Sequence, residues 1–145
     1  MILSTSRDIG RYLQALLNDG RAPNGTQLVS VASTQELLRA QQKAESELGG
    51  ETMYGFRWEI SEMNGLKVAM KGGSVGSMGS LFVLIPQQKL GIAMLFNAID
   101  YGKVQLLQNL MKVTRRAQEG AALIFKRCNR RMCMWMRGDS SAVRR

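Results

Sequence analysis

The beginning of the chain carries a helical pattern of hydrophobic residues. In "STSRDIGRYLQALLNDG", residues 4–20, apolar side chains recur every three or four positions, at Ile9, Tyr12, Leu13, Leu16 and Leu17. Thr5 and Asp8 can form the polar pair that often caps the start of a helix, and Gly20 is a typical stop signal. The pattern predicts a helix over this stretch.

A second helix is predicted shortly afterwards. In "STQELLRAQQKAESEL", residues 33–48, Ser33 and Glu36 fit the S-x-x-E capping box. The pair Gly49–Gly50 follows and would end this helix.

From residue 53 the pattern changes to strands. "MYGFRWEI", residues 53–60, places alternate aromatic and aliphatic side chains on one face, at Tyr54, Phe56, Trp58 and Ile60. Three further strands are predicted over residues 66–71, 80–86 and 90–97. Asn64–Gly65 is a hairpin turn signal between the strand over residues 53–60 and the strand over residues 66–71. Four strands with short connections predict an antiparallel meander.

Helical spacing returns after about Asp100, where apolar residues lie at Val104, Leu107, Leu110 and Met111. The order of helices and strands predicts an α+β fold, with an antiparallel sheet flanked by helices. A chain of 145 residues suffices for one domain with a real core. No apolar run is long enough for a transmembrane helix, and the first residues lack the pattern of a signal peptide.

Charge divides the chain into two parts. Residues 1–111 hold ten lysines and arginines against nine carboxylates, whereas residues 112–145 hold ten against two, a net charge of +8. The basic character therefore belongs to the last 34 residues. We accordingly divide the chain into a folded segment over residues 1–111 and a terminal helix continuing into a basic tail over residues 112–145.

Three interpretations of the tail remain open. It could be a basic arm that binds nucleic acid or an anionic membrane, with Phe125 and Trp135 adding stacking or interfacial contacts. It could be a solvated extension without a role, or non-native sequence such as translation beyond a frameshift. The abrupt change in composition favours the last two. Cys128 and Cys133 are a weak signal for a disulfide.

The chain contains no histidine. This absence excludes a Ser-His-Asp triad, a Cys-His pair and a histidine-ligated metal site. A nucleophile would have to be activated by lysine, tyrosine or a carboxylate. We expect neither a metal nor a cofactor.

A glycine-rich segment, "VAMKGGSVGSMGSLFVLIP" at residues 68–86, carries the candidate chemistry. In one interpretation the glycines only make a wide turn or a bulge between two strands. In the other, glycine lets a ligand approach the strand backbone, an N–H at the strand edge stabilises an oxyanion, and Lys71 supplies positive charge. The segment is neither a Walker A loop nor a G-x-G-x-x-G motif.

Four pieces of the chain, in order, resemble the C-terminal part of the serine β-lactamase and penicillin-binding-protein superfamily. They are "LSTSRDIGRYLQALLNDG", "GTQLVSVASTQELLRAQ", "YGFRWEI" and "KGGSVGSMGSLFVLIPQQKLGIAMLFNA". The third resembles the family's Y-G-x-G-W strand, and the fourth its third active-site motif with two following strands. The resemblance covers about residues 3–112 and is greatest to the class C β-lactamase-related branch, which includes esterases and peptidases. It implies a partial β-lactamase/transpeptidase-like fold.

The resemblance also implies roles for four residues. Lys71, Gly72 and Gly73 correspond to the K-T-G, K-S-G or H-x-G motif on a strand beside the active site. Lys71 would act electrostatically on the nucleophile and substrate carboxylate, and the backbone N–H of Ser74 would contribute to the oxyanion hole. Gly72 and Gly73 would lie along the bound substrate. Gly72 replaces the hydroxyl residue of β-lactamases, which favours an esterase-like or peptidase-like relative.

The family's other two motifs are absent. No serine is followed three residues later by lysine, and no tyrosine or serine begins a Y-x-N or S-x-N motif. We therefore expect a C-terminal fragment that lacks its nucleophile and is inactive alone. It would act on a small acyl or peptide substrate only when a complementary N-terminal chain completes it, and could instead serve as that chain's structural partner. Family members are usually exported, but the compartment of this chain is not determined by its sequence.

Overall fold

The computed structural model describes residues 3–46, 50–97, 112, 115, 124–128 and 132–137. Two helices precede an antiparallel sheet, which confirms the predicted α+β class. The helices are α1 (Ser6–Leu17) and α2 (Val31–Leu37). The strands are β1 (Gln42–Glu45), β2 (Glu51–Tyr54), β3 (Glu59–Met63), β4 (Leu66–Val75), β5 (Met78–Ile85), β6 (Leu90–Phe96), β7 (Ile124–Cys128) and β8 (Met132–Arg137).

Helix α1 forms where its hydrophobic pattern predicts it. Thr5 is the N-cap residue: its Oγ1 accepts a hydrogen bond from the Asp8 backbone N–H and donates one to the Asp8 carboxylate, at 2.8 Å. The helix ends at Leu17, and Gly20 follows with a left-handed φ of +82°. The predicted capping pair and stop signal are therefore confirmed.

Helix α2 is shorter than predicted and begins earlier. Its N-cap is Ser30, whose side chain accepts a hydrogen bond from the Ser33 N–H, so the predicted Ser33–Glu36 capping box does not form. The Glu36 carboxylate instead accepts hydrogen bonds from Arg39, at 2.6 Å, and from Gln41. The helix ends at Leu37.

The rest of the predicted second helix is a strand. Residues 42–45 form β1, which pairs antiparallel with β2 from Gln42 opposite Tyr54 to Glu45 opposite Glu51. Just after β1, the Ser46 hydroxyl donates a hydrogen bond of 2.7 Å to the buried Glu59 carboxylate. Gly50 lies in the connection between these strands with φ +85°, rather than at a helix end. Pairing with β2 therefore overrides a local preference for helix.

The sheet is larger than the predicted meander of four strands. Eight strands pair in the order β1-β2-β3-β4-β5-β6-β8-β7, so the prediction was an undercount. Strands β1 to β6 follow one another as a meander. In the basic tail, β8 pairs with β6 along Gly91–Phe96, and β7 pairs with β8.

The predicted strand over residues 53–60 is interrupted. Strand β2 ends at Tyr54 and β3 begins at Glu59, so the four predicted residues do not share one face: Phe56 is 53% exposed, whereas Trp58 is buried. The Gly55 N–H donates to the Trp58 carbonyl, at 2.8 Å, and closes a bend. A Cβ on Gly55 would lie only 2.5 Å from the Arg39 carbonyl oxygen. The bend therefore forms where the backbone passes close to the end of α2.

The glycine-rich segment is a tight hairpin, not the wide turn or bulge of the simpler interpretation. Strand β4 continues through it to Val75, and β4 pairs with β5 without interruption as far as Val75 opposite Met78. Gly76 has φ +59°, as expected for the first central residue of a type II′ turn. The preceding hairpin has left-handed φ values at both Asn64 and Gly65, which indicates type I′ and confirms the predicted turn.

Both faces of the central sheet are buried. On one face, Leu13, Leu16 and Leu17 of α1 pack against a strip of small and aliphatic side chains: Ile60, Ala69, Leu84 and Ala93. The opposite face carries a second apolar cluster: Leu66, Val68, Met70, Leu81, Val83, Ile85, Leu90, Ile92 and Met94. The alternation of side chains along β4, β5 and β6 assigns successive residues to these two clusters.

The helix predicted after Asp100 lies mostly outside the described residues. Lys112 and Arg115 are described, and both are helical. The division at residue 111 stays a prediction. None of the helices among the described residues combines the length and hydropathy that a membrane-spanning segment needs.

Candidate functional site

Lys71 lies on β4 at the point where the sheet changes from core to surface. The three residues before it are buried, Lys71 and Gly72 are half-buried, and the strand is exposed from Gly73 onward. Lys71 is directly opposite Phe82 of β5 and two residues from Ala69, so its side chain leaves the sheet on the α1 side.

The Lys71 ammonium contacts Tyr54, the last residue of β2. Its Nζ donates a hydrogen bond of 3.2 Å to the Tyr54 hydroxyl oxygen and lies 5.9 Å from the ring centroid. Those two distances place the ammonium beyond the hydroxyl end of the ring, because the hydrogen bond, the C–O bond and the ring radius nearly add up to the centroid distance. The contact is therefore a hydrogen bond rather than a cation–π interaction, which requires the cation over the ring face.

One edge of β4 beyond Met70 has no partner among the described strands. The ladder with β3 ends at Glu59 opposite Met70, whereas the ladder with β5 continues to Val75. The cause is the bend over residues 55–58, which carries the chain away from β4 just before β3 begins. We call residues 71–75 along this side the open edge.

The hairpin geometry indicates which backbone groups face the open edge. In a two-residue turn, the closing pair, here Val75 and Met78, is hydrogen-bonded, and bonded and non-bonded pairs then alternate along the strands. Lys71, Gly73 and Val75 therefore direct their N–H and C=O groups toward β5, whereas Gly72 and Ser74 direct theirs toward the open edge.

The preceding hairpin gives the same alternation independently. Counting from its closing pair, Met63 and Leu66, the residues of β4 that bond to β3 are Leu66, Val68 and Met70. The next residues in that series are Gly72 and Ser74. The N–H of Ser74, predicted as an oxyanion donor, thus faces the side on which a ligand could lie.

Gly73 faces β5 rather than the open edge. A Cβ at this position would lie 3.0 Å from the Ser80 Oγ, and that hydroxyl donates a 3.4 Å hydrogen bond to the Gly73 carbonyl. Gly72 is the one of the two predicted binding glycines whose backbone groups point outward.

The structure thus has Lys71, Gly72 and Ser74 on one strand segment, where β4 passes from the core to the surface, and adds a residue that the sequence did not indicate. Tyr54 is 17 residues from Lys71, and no spacing rule links them; only the pairing of β2 with β3, and of β3 with β4, does. Its position in the "YGFRWEI" piece was the one available signal. Tyr12 of α1 is a poor candidate for a base, since burial raises the pKa of its phenol above the ordinary 10.0.

A separate apolar groove of about 610 Å³ lies beside α2. It is open to solvent, and its lining residues come from α2, from the segment before it and from the bend: Val29, Ala32, Ser33, Glu36, Leu37 and Phe56. The chemistry-bearing groups of the open edge do not line it. Within the described ranges, no three His, Cys, Asp or Glu side chains are grouped as a metal site would require.

Comparison with known proteins supports the fold. The chain is similar to the solved structure of the octameric penicillin-binding protein homologue from Pyrococcus abyssi, with 23% sequence identity and a TM-score of 0.64. The similarity covers 77% of this chain and 24% of that chain, so this chain spans about a quarter of the homologue's length. No protein-family model matches the chain, and no curated protein matches it. The finding indicates a penicillin-binding-protein-like fold.

Proposed function

We propose that the chain is the C-terminal part of a β-lactamase-related serine hydrolase of the acyl-serine esterase or peptidase type. The observation that carries the proposal is the open edge: a strand that begins at Lys71, presents the Ser74 N–H and lies in a fold similar to a penicillin-binding protein homologue. A cation and a backbone donor on one edge can stabilise a developing oxyanion. Such a strand forms one wall of an active site.

The nucleophile would come from another stretch of polypeptide. The sequence has neither an S-x-x-K nor a Y-x-N motif, and Ser4 is followed by Arg7, whose guanidinium does not act as a base near neutral pH. The chain alone should therefore form no acyl-enzyme. A complementary N-terminal chain, carrying both motifs, would supply the serine and use the open edge.

Labelling with a fluorescent penicillin and a chromogenic activated ester tests the first half of this proposal. The purified chain should show neither a covalent band nor a burst of released alcohol or phenol. A stoichiometric burst that maps to a serine of this chain would overturn the predicted inactivity.

The second half is tested on the gene. The region upstream of the coding sequence should encode S-x-x-K followed by Y-x-N. When that polypeptide is joined to or mixed with this chain, ester hydrolysis should appear and Lys71→Met should lower its kcat/KM about a hundredfold. Lys43→Met, on the exposed strand β1, is the matched control and should leave the rate unchanged. Full activity of the Lys71→Met form would show that Lys71 has no role in the site.

The alternative function is binding of nucleic acid or an anionic membrane through residues 112–145. The feature in its favour is the sheet order, because the tail's β7 lies at the outer edge and includes Lys126 and Arg127. Such binding should weaken steeply with added salt, since each neutralised phosphate releases counterions. Binding that persists after Lys126→Gln and Arg127→Gln, and does not depend on salt, would reject this alternative.

A further inference from the structure

The two cysteines of the chain are cross-strand partners in the outer hairpin of the sheet. Strand β7 ends at Cys128 and pairs antiparallel with β8, in which Cys133 is the Cα partner of Cys128. Four residues separate them in the sequence, a spacing that by itself is a weak signal for a disulfide. The register adds that they stand directly opposite each other on one face of the sheet. We call Cys128 and Cys133 the cysteine pair.

The hydrogen-bond pattern of the sheet can be followed from the β4–β5 turn to β8. The closing pair of that turn, Val75 and Met78, is hydrogen-bonded, so the backbone of Met78 faces β4 and that of the next residue, Gly79, faces β6. The partner of Gly79 on β6 is Phe96, whose backbone therefore faces β5. Its neighbour Leu95 faces the other way, toward β8.

This alternation assigns the cysteine pair to a non-hydrogen-bonded position. Cys133 is the partner of Leu95, so its N–H and C=O groups face β6 rather than β7. In a non-hydrogen-bonded pair the Cα atoms are about 4.5 Å apart, and the side chains are closer than in a bonded pair. A disulfide spans Cα atoms about 4.4–6.8 Å apart and Cβ atoms about 3.5–4.5 Å apart. The register therefore suits a disulfide without movement of either strand.

The sequence around the cysteine pair favours the exchange reaction that forms such a bond. Lys126 and Arg127 precede Cys128, and Arg130 and Arg131 lie between the two cysteines. Positive charge beside a cysteine stabilises the thiolate, which is the form that attacks a disulfide. It also attracts an anionic low-molecular-weight disulfide such as oxidised glutathione.

We propose that Cys128 and Cys133 form a redox-sensitive disulfide that fastens β7 to β8. One cysteine thiolate attacks a sulfur of oxidised glutathione, which gives a mixed disulfide and releases one glutathione thiol. The thiolate of the other cysteine then attacks the cysteine sulfur of the mixed disulfide and releases the second glutathione. The cysteine pair loses two electrons and two protons, and one oxidised glutathione is reduced to two thiols.

The bond acts on the outermost strand of the sheet. Among the described strands, β7 pairs with β8 alone, so nothing else in that part of the chain holds it. The alternation that places Cys133 toward β6 places the N–H groups of Met134 and Met136 toward β7. Oxidation should therefore slow amide exchange at Met134 and Met136, and leave Val83 in the centre of the sheet unchanged.

The test equilibrates the full chain with reduced and oxidised glutathione in known ratios and then blocks free thiols with N-ethylmaleimide. In the oxidising mixtures the monomer should gain no maleimide and should be lighter than the reduced chain by two hydrogens. Trypsin cleaves after lysine and arginine, so it should release the peptides 128–130 and 132–137 joined by a disulfide. The ratio at which half of the chain is oxidised gives the equilibrium constant.

Two double variants provide the controls. Cys133→Ser with Met134→Cys moves one cysteine by a single residue, which hardly changes the spacing but puts the two thiols on opposite faces of the sheet. Its equilibrium constant for disulfide formation should be at least about tenfold smaller than that of the wild type. Cys128→Ser with Cys133→Ser should show the same amide exchange in reducing and oxidising mixtures.

The other outcomes each contradict a part of the proposal. Alkylation of both cysteines at every ratio, a stable mixed disulfide with glutathione or a disulfide between two chains would overturn it. Equal equilibrium constants for the wild type and the shifted pair would show that the register does not promote the bond. Amide exchange at Met134 and Met136 that is unchanged by oxidation would overturn the fastening of β7 to β8. None of these results depends on the proposed hydrolase function.

Discussion

At the scale of single residues, Gly20 fixes the connection between the two helices. Its carbonyl accepts hydrogen bonds from the N–H groups of Leu28 and Val29, at 2.9 and 3.2 Å. Its φ of +82° is left-handed, and an added Cβ would overlap the Val29 carbonyl oxygen and lie 2.8 Å from the Thr34 Oγ1. Both the conformation and the space at this position therefore require glycine.

Gly20→Ala should lower the free energy of unfolding by about 3 kcal/mol or more, because the left-handed strain and the backbone overlap add. Gly25 is a matched control: its φ is +89°, but an added Cβ would meet nothing within 4 Å. Gly25→Ala should therefore cost only about 1–2 kcal/mol. Urea unfolding of the three proteins measures the difference, and equal losses would contradict the packing at Gly20.

At the same scale, two lysines bind the ends of the helices: Lys67 on β4, and Lys89 in the turn between β5 and β6. The Lys67 and Lys89 ammonium groups each donate a 2.6 Å hydrogen bond, to the carbonyls of Leu38 and Leu17 respectively. These carbonyls lie at the C-terminal ends of α2 and α1, where the helix leaves acceptors unpaired and positive charge is favoured.

Lys67→Met should therefore destabilise the fold by about 1 kcal/mol, since it keeps most of the aliphatic side chain but removes the donor. Lys43→Met on β1 serves as the control and should change the stability little. Thermal and urea unfolding both give the comparison. If Lys67→Met is as stable as the wild type, then water satisfies the Leu38 carbonyl as well as the lysine does.

At the scale of elements, the site depends on the unequal lengths of β3 and β4. Strand β4 has ten residues and β3 has five, and the surplus of β4 projects beyond the bend that precedes β3. One edge of that surplus is paired with β5 and the other is not paired with a described strand. An unpaired edge of this kind is a template for an extended ligand.

Amide hydrogen exchange along β4 should alternate. The N–H groups of Lys71 and Gly73 should exchange slowly because they bond to β5, whereas those of Gly72 and Ser74 should exchange much faster. Met70, which bonds to β3, is the internal reference for a protected amide on the same side of the strand. Slow exchange at Gly72 and Ser74 would mean that another segment covers the open edge.

At the scale of the whole molecule, the basic tail contributes strands to the sheet as well as most of the net positive charge. Strand β8 pairs with six consecutive residues of β6, Gly91–Phe96, and so covers an edge of apolar sequence. Uncovered edges of long apolar strands promote association between chains. The pairing of β8 with β6 gives the tail a structural use in this fold, which argues against a solvated extension without a role.

A chain shortened after residue 123 should be less stable and should self-associate as its concentration rises, because β6 loses its neighbour. Sedimentation velocity over a range of concentrations measures this. The full-length Lys126→Gln, Arg127→Gln double variant keeps the strands and should stay like the wild type. A shortened chain that remains as stable and as monomeric as the full chain would contradict the pairing of β8 with β6.

The sequence by itself determined the elements whose signals are local. The stripe from Ile9 to Leu17 and the Thr5 cap specify α1, because a helix is defined by contacts within one turn. Asn64–Gly65 specifies a type I′ turn, because left-handed φ values are tolerated by few residues. The resemblance also placed Lys71, Gly72 and Ser74 at one strand, where the structure has them.

Tertiary structure decided what depends on distant partners. Residues 42–45 become a strand because β2 is there to pair with them, and Tyr54 and Phe56 separate because Gly55 packs against the end of α2. That bend delays the start of β3 until Glu59, and the open edge and the Tyr54–Lys71 hydrogen bond follow from it. Neighbouring residues encode local geometry, but which edge of a strand is exposed depends on where another strand stops.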